Sequence, residues 1–293
     1  MRREPRPVNV LTVDVEEYYH GVEFSALGPE RLSGLPSRVV PETERLLDLL
    51  DAHGAHGTFF VLGLVAERHP RLIRAIVARG HELGSHGWDH TLVPALGPAG
   101  FRQDVRRAKR ALEQAAGTTV WGYRAPNYSI RRDTPWAFPV LWEEGYAYDA
   151  SVHPIAHDRY SFPDAPRFPH VAMELDGGDF WEVPVGTARC AGVNLPLGGG
   201  FFRLFPSALL RAAIASVNRR EGRPVVLYVH PWEFDPGQPR LAMKPSHRFR
   251  HYVGLASAEA KLGSVLRAFG FTSIAAAFPH VRPWPTLASR AAS

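Results

Sequence analysis

Val8-Asn9-Val10-Leu11-Thr12-Val13-Asp14-Val15, followed by Glu16-Glu17, decides how the rest of the chain is read. Residues 8–15 alternate and are rich in β-branched side chains, which predicts a strand. An acid in such a strand must be paired, metal-bound or at an exposed strand end. Asp14 and Glu16 share one face by the two-residue period, while Val15 and Glu17 point the other way. Two acids on one face suit different tasks beside a cation: one ligates, and the other accepts a proton from water.

Working outward, strands are predicted at 58–62, 82–84, 120–123, 146–150, 224–229 and 271–274. Helices are predicted at 41–53, 70–79, 98–116, 133–144, 206–220 and 258–269, with Gly54, Gly80, Gly117 and Gly145 as stop signals. Residues 151–205 are proline-rich, contain Gly198-Gly199-Gly200, and read as strands and long loops. Strand–helix alternation implies an α/β fold with parallel strands and crossover helices. Asp14, His86, Arg124 and His230 all fall at or just after strand ends. In α/β barrels the reactive face lies at those carboxyl ends. One domain spanning 1–293 is expected, with a loop-rich C-terminal portion from about 151.

The segment Ser85-His86-Gly87-Trp88-Asp89-His90 follows a short apolar strand. On a helical turn, positions i and i+4 share a face, so His86 and His90 can reach one metal ion. With Glu16, or else Glu17, they make two imidazoles and a carboxylate, the donor set of a hydrolytic metal site. Against this stands a solvated histidine pair in a chain of 14 histidines. Arg124 precedes Ala125-Pro126, where it could hold a basic carboxylate through a bidentate pair. His230 ends an apolar strand and could protonate a leaving amine, though a core histidine is the ordinary reading of such a position. Tyr128, Asp149, Trp232 and Arg250 are the expected substrate contacts. Asp149 serves equally as a structural hydrogen-bond partner, and Arg250 lies in a charged aromatic segment, 247–252, that reads equally as a solvated loop.

Composition narrows the classes. Net charge is +5, with basic residues dispersed rather than gathered among stacking aromatics, so no nucleic-acid partner is expected. The Gly198–Gly200 run lacks the lysine and the helix start of a phosphate loop. Cys190 is the sole cysteine, so no intrachain disulfide forms, and a buried or half-buried position is expected for it. The basic start through Pro7 leads into a run bearing acids by Asp14, which fits neither a signal h-region nor a membrane span. A cytoplasmic protein is the expectation, with association at a membrane surface left open, as is the oligomeric state.

Taken together, these motifs resemble the NodB-type polysaccharide deacetylases of carbohydrate esterase family 4, and more closely a branch found in exosortase-linked exopolysaccharide loci. The matching stretches are Leu11–Glu16, Thr58–Gly63, Ser85–His90, Tyr123–Pro126, Tyr148–Ser151 and Tyr228–Glu233. The resemblance implies a distorted (β/α) barrel of about seven strands, a divalent metal that is usually zinc, and removal of acetyl from N-acetylated sugars. By matching positions, Asp14 resembles the catalytic base, His86 and His90 the metal ligands, Arg124 the residue tethering the base, and His230 the catalytic acid. Most of the family has adjacent aspartates at the first motif, whereas here Val15 separates Asp14 from Glu16. The implied substrate is an N-acetylhexosamine unit of a polysaccharide or its lipid-linked precursor. An allantoinase-like hydrolase of a small cyclic amide and a non-catalytic carbohydrate-binding relative are the competing readings.

Overall fold

The computed structural model describes residues 7–21, 24, 27, 28, 31, 32, 34–156, 162–175 and 178–282. Strands β1 (Asn9–Val15), β2 (Thr58–Val61), β3 (Glu82–Ser85), β4 (Gly122–Tyr123) and β5 (Tyr148–Asp149) run parallel and pair in sequence order. Strands β6 (His170–Leu175) and β7 (Gly178–Glu182) form a hairpin, of which β7 joins parallel to β5. A separate hairpin pairs β8 (Thr187–Cys190) with β9 (Val193–Pro196). Strand β10 (Val226–Val229) returns to the other side of β1, and β11 (Phe271–Thr272) pairs with the start of β1. The sheet order is therefore β10-β1-β2-β3-β4-β5-β7-β6, with seven strands of that path parallel. The two ends of the curled sheet approach one another just past β7, where Gly186 N–H donates to the Val226 carbonyl at 2.7 Å. This is a distorted α/β barrel, as expected.

Strand β1 is buried along its whole length, as a parallel strand covered on both faces must be. Its odd-numbered residues Leu11, Val13 and Val15 pack outward against helix residues such as Leu46, Leu50, Ile73 and Ile76. Val10 packs inward with Phe60, Tyr148 and Val226, over a plug of Ile274, Phe278 and Val281. By the same alternation Thr12, Asp14 and Glu16 face the barrel interior above that apolar floor. Glycine makes room for the floor: a Cβ at Gly84 would lie 2.5 Å from the Phe60 ring, and one at Gly122 2.2 Å from Tyr148.

Several elements differ from expectation. The helix expected at 98–116 belongs to a longer segment, Val93–Ala116, broken at Gly97 (φ 62°). The helix expected at 133–144 is confined to Ala137–Glu143, because Thr134 closes a turn with Arg131. A helix at Gly63–Arg68 has no strong sequence signal. Helix Gly199–Leu204 starts inside the triple-glycine run, where a Cβ on Gly198 or Gly199 would meet the Tyr228 ring within 2.6 Å. Those glycines thus serve close packing. Residues 247–252 are not a loop but part of helix Pro245–Tyr252. Cys190 is exposed, not buried, because it sits at the end of β8 where the small hairpin turns. The basic start, residues 1–6, and part of the 151–205 stretch lie outside the described residues. Among the described residues no helix is long and apolar enough to cross a membrane.

Candidate active site

Glu16, His86 and His90 converge at the carboxyl ends of β1 and β3, with potential ligand atoms within 4.8 Å of one another. Glu16 Oε2 lies 2.6 Å from His90 Nε2 and 3.7 Å from His86 Nε2. The histidines do not share a helical turn, contrary to the i, i+4 reading. Residues 86–90 form an irregular loop with Gly87 at φ 78° and His90 at φ 72°, and these left-handed residues bring the rings together. Glu17 is no ligand. Its carboxylate is held by Ser37 Oγ and by the Arg38 backbone N–H. The one-residue offset points it away from the cleft.

The donor chemistry fits a cation. His86 Nδ1 lies 2.8 Å from the Arg124 carbonyl oxygen, which can only accept, so Nδ1 carries a proton and Nε2 is the ring atom turned toward Glu16. Glu16 Oε2 is buried between the two imidazoles. Burial pushes the Glu16 carboxyl up, but His90, His86 and His230 outweigh it and hold it well below the usual carboxylate range.

Asp14 and His230 flank this cluster. Asp14 Oδ1 accepts from Arg124 Nη1 at 2.8 Å, and Asp14 Oδ2 lies 3.9 Å from His230 Nε2. His230 Nε2 is also 3.8 Å from Glu16 Oε1. Arg124 is fully buried, and its pair with Asp14 is single, not bidentate as expected. Its other bonds run from Nη1 to Thr12 Oγ1 and from Nε to the Ala150 carbonyl. Burial opposes the charge on Arg124, and Asp14 overcomes it. Burial likewise pushes His230 down, but Glu233, Glu16 and Asp14 raise it to about 9. Its partner Glu233 is pushed up by burial and pulled down to about 2 by Arg203 and His230.

Apart from Arg124, which is fully buried behind Asp14, these groups open onto one cleft of about 580 Å³, lined also by Asn127, Tyr128, Phe201, Phe249 and Arg250. Tyr128 and Arg250 thus stand where a substrate would contact them. Asp149 does not: it is fully buried and accepts from Ser151 N and Oγ, which removes it from the substrate contacts. Trp232 reaches the cleft but cannot offer a ring face to a sugar. His230 stacks on it at 5.1 Å and His251 at 4.6 Å, while its Nε1–H donates to Glu16 Oε1 at 3.2 Å. It orients the carboxylate instead.

Three residues escaped the sequence reading. His20 stacks on His90 at 5.6 Å, and burial, aided by His90, lowers it to about 4, so it is neutral. Glu233 accepts from His230 N at 3.0 Å, with Oε2 3.5 Å from Nδ1. Arg203 ties Glu233 to the carbonyls of Arg250, His251 and Val253 at the end of helix Pro245–Tyr252. The Trp-Glu after His230-Pro231 was the available signal for Glu233; nothing in the sequence marked Arg203.

Residues 35–138, which deliver both histidines and Arg124, match the polysaccharide deacetylase family model. Residues 150–279 match a second model, a domain of unknown function (DUF3473). A chitooligosaccharide deacetylase of Sinorhizobium fredii is 38% identical over 112 residues, covering 38% of this chain and 49% of that protein. Another from Bradyrhizobium sp. is 33% identical over 111 residues, covering 38% of this chain and 48% of that protein. The chain thus spans about half the length of these curated relatives. A Mycobacterium smegmatis protein proposed to be a polysaccharide deacetylase shares the fold at a TM-score of 0.54 and 23% identity, over 92% of this chain and 93% of that one.

Proposed function

We propose that this protein is a metal-dependent hydrolase that removes N-acetyl groups from N-acetylhexosamine units of a polysaccharide or its lipid-linked precursor. One observation carries the reading: Glu16, His86 and His90 bring potential ligand atoms within 4.8 Å of one another, with Asp14 and His230 in the same cleft. Glu16, His86 and His90 would hold a divalent cation, and their donor types suit zinc. Such an ion supplies Lewis acidity, polarising the amide carbonyl and acidifying a water.

The chain's own groups do the rest. Asp14, with Oδ1 held by Arg124, keeps Oδ2 available to take a proton as water attacks the carbonyl carbon. His230, held by Glu233, delivers a proton to the amide nitrogen as the carbon–nitrogen bond breaks. Acetate and the free amine leave. Asp14, Glu16, His86 and Arg124 come from the first half and His230, Trp232 and Glu233 from the second, so we read the chain as one catalytic unit. The relatives named chitooligosaccharide deacetylases supply the sugar class.

The test is acetate release from a panel of N-acetylated chito-oligosaccharides and lipid-linked amino sugars, with zinc and then with chelator. Zinc-dependent acetate release is expected. Turnover of a small cyclic amide with no acetate from any sugar would replace this reading by the allantoinase-like one.

A further inference from the structure

The cleft wall built by the second half of the chain has a rigid outer face that the proposed chemistry does not use. Helix Gly199–Leu204 and helix Pro245–Tyr252 are locked together there. The Arg203 guanidinium donates to the carbonyls of Arg250, His251 and Val253, and Lys261 Nζ donates to those of Phe202, Arg203 and Phe205. The inward face of the second helix is fixed as well. His251 is buried, stacks on Trp232 at 4.6 Å and has Nε2 2.8 Å from Gln238 Oε1. At about 100° per residue, Phe249 then lies opposite His251, at the centre of the outward face, with Arg248 and Arg250 on its two flanks.

Exposure and charge set this face apart. Phe249 is 58% exposed and Leu204 46%, and both stand at the rim of the cleft. Arg240, Lys244, Arg248 and Arg250 are exposed around them. No aspartate or glutamate occurs between Glu182 and Glu221, which bracket the first helix, or between Asp235 and Glu259, which bracket the second. A single exposed apolar side chain is ordinary. A phenylalanine between arginines on a fixed helix without acids, beside an exposed leucine, has the make-up of an interfacial surface. An acidic polymer would satisfy the cations and leave Phe249 and Leu204 in water. A partner with anionic groups over an apolar layer satisfies both.

We propose that the outward face of helix Pro245–Tyr252, together with Leu204, docks on an anionic lipid bilayer. Phe249 and Leu204 enter the headgroup region, and Lys244 and Arg248, four residues apart on one side of the helix, meet lipid phosphates. The cleft opens beside this face, so docking sets its mouth at the membrane surface. Docking of this kind does not depend on the deacetylase reading.

The test is co-sedimentation of the full chain with phosphatidylcholine vesicles, with and without about 30% phosphatidylglycerol, at about 0.1 M salt. Wild type is compared with the double variant Lys244→Glu/Arg248→Glu and with Phe249→Ser, all substitutions at exposed positions, with the thermal midpoint as the control for folding. Wild type should bind the anionic vesicles at least about tenfold more tightly than the neutral ones, and less tightly as salt rises. The double variant should lose at least about tenfold, and Phe249→Ser at least about fivefold, with thermal midpoints near wild type. No binding to the anionic vesicles would overturn the proposal, as would binding that both variants retain at wild-type strength. A loss in the double variant with none in Phe249→Ser would also overturn it, and would assign the face to an acidic polymer instead.

Discussion

At the scale of single residues, the site is a set of carboxylates and imidazoles told apart by their neighbours. Glu16 and Glu17 are adjacent and chemically alike, yet one faces the cleft and the other is spent on Ser37 and Arg38. Glu16→Gln should weaken zinc binding by at least about 100-fold in calorimetry, while Glu17→Gln leaves it near wild type. Trp232→Phe keeps the stack between His230 and His251 but deletes the bond to Glu16 Oε1. Zinc affinity should fall about tenfold, with the folded far-ultraviolet spectrum intact. An unchanged affinity would make Trp232 packing alone. His86, His90, Asp14, Arg124 and His230 were legible because each follows a strand and carries a reactive group. Glu16 was preferred over Glu17 by strand alternation alone. Trp232 was read as a substrate contact because a sequence does not show that His230 and His251 stack on its ring.

At the scale of elements, the parallel strands and most of the long helices followed from strand–helix alternation, but the shortest strands set the limits. β4 and β5 each span two residues, so their neighbours fix them more than their own composition does. The histidine loop shows the same limit. Its spacing suggested a helical turn, whereas the rings meet through two left-handed residues. Arg203 was invisible because its partners are backbone carbonyls of a helix 47 to 50 residues away. That single side chain anchors helix Pro245–Tyr252 and pairs with buried Glu233. Arg203→Met takes the guanidinium from buried Glu233 and leaves it His230 as partner, and should lower stability in urea unfolding by about 3 kcal/mol. A loss under about 1 kcal/mol would mean that the helix is held by other contacts.

At the scale of the whole molecule, one buried acid makes stability depend on pH. Glu42 is 4% exposed, and neither carboxyl oxygen has a hydrogen-bond partner among the described residues. Burial, with Asp235 and Glu17 against it and Arg38 for it, raises it to about 9. Its folded form keeps a proton that the unfolded chain releases near the usual carboxylate range. Stability is therefore fully present below that range and falls as pH rises toward 9. Glu42→Gln should raise the thermal midpoint more at pH 8 than at pH 5, and equal shifts at both would contradict the assignment. The same barrel brings Asp14 and His230, the proposed base and acid, from the two halves of the chain to the Glu16, His86 and His90 cluster, and that convergence is the central claim. Its most direct test is zinc-loaded Asp14→Asn. The account predicts zinc content near wild type, with acetate release from N-acetylchitotetraose reduced by about 100-fold or more. Wild-type turnover in that variant, with zinc bound, would contradict it.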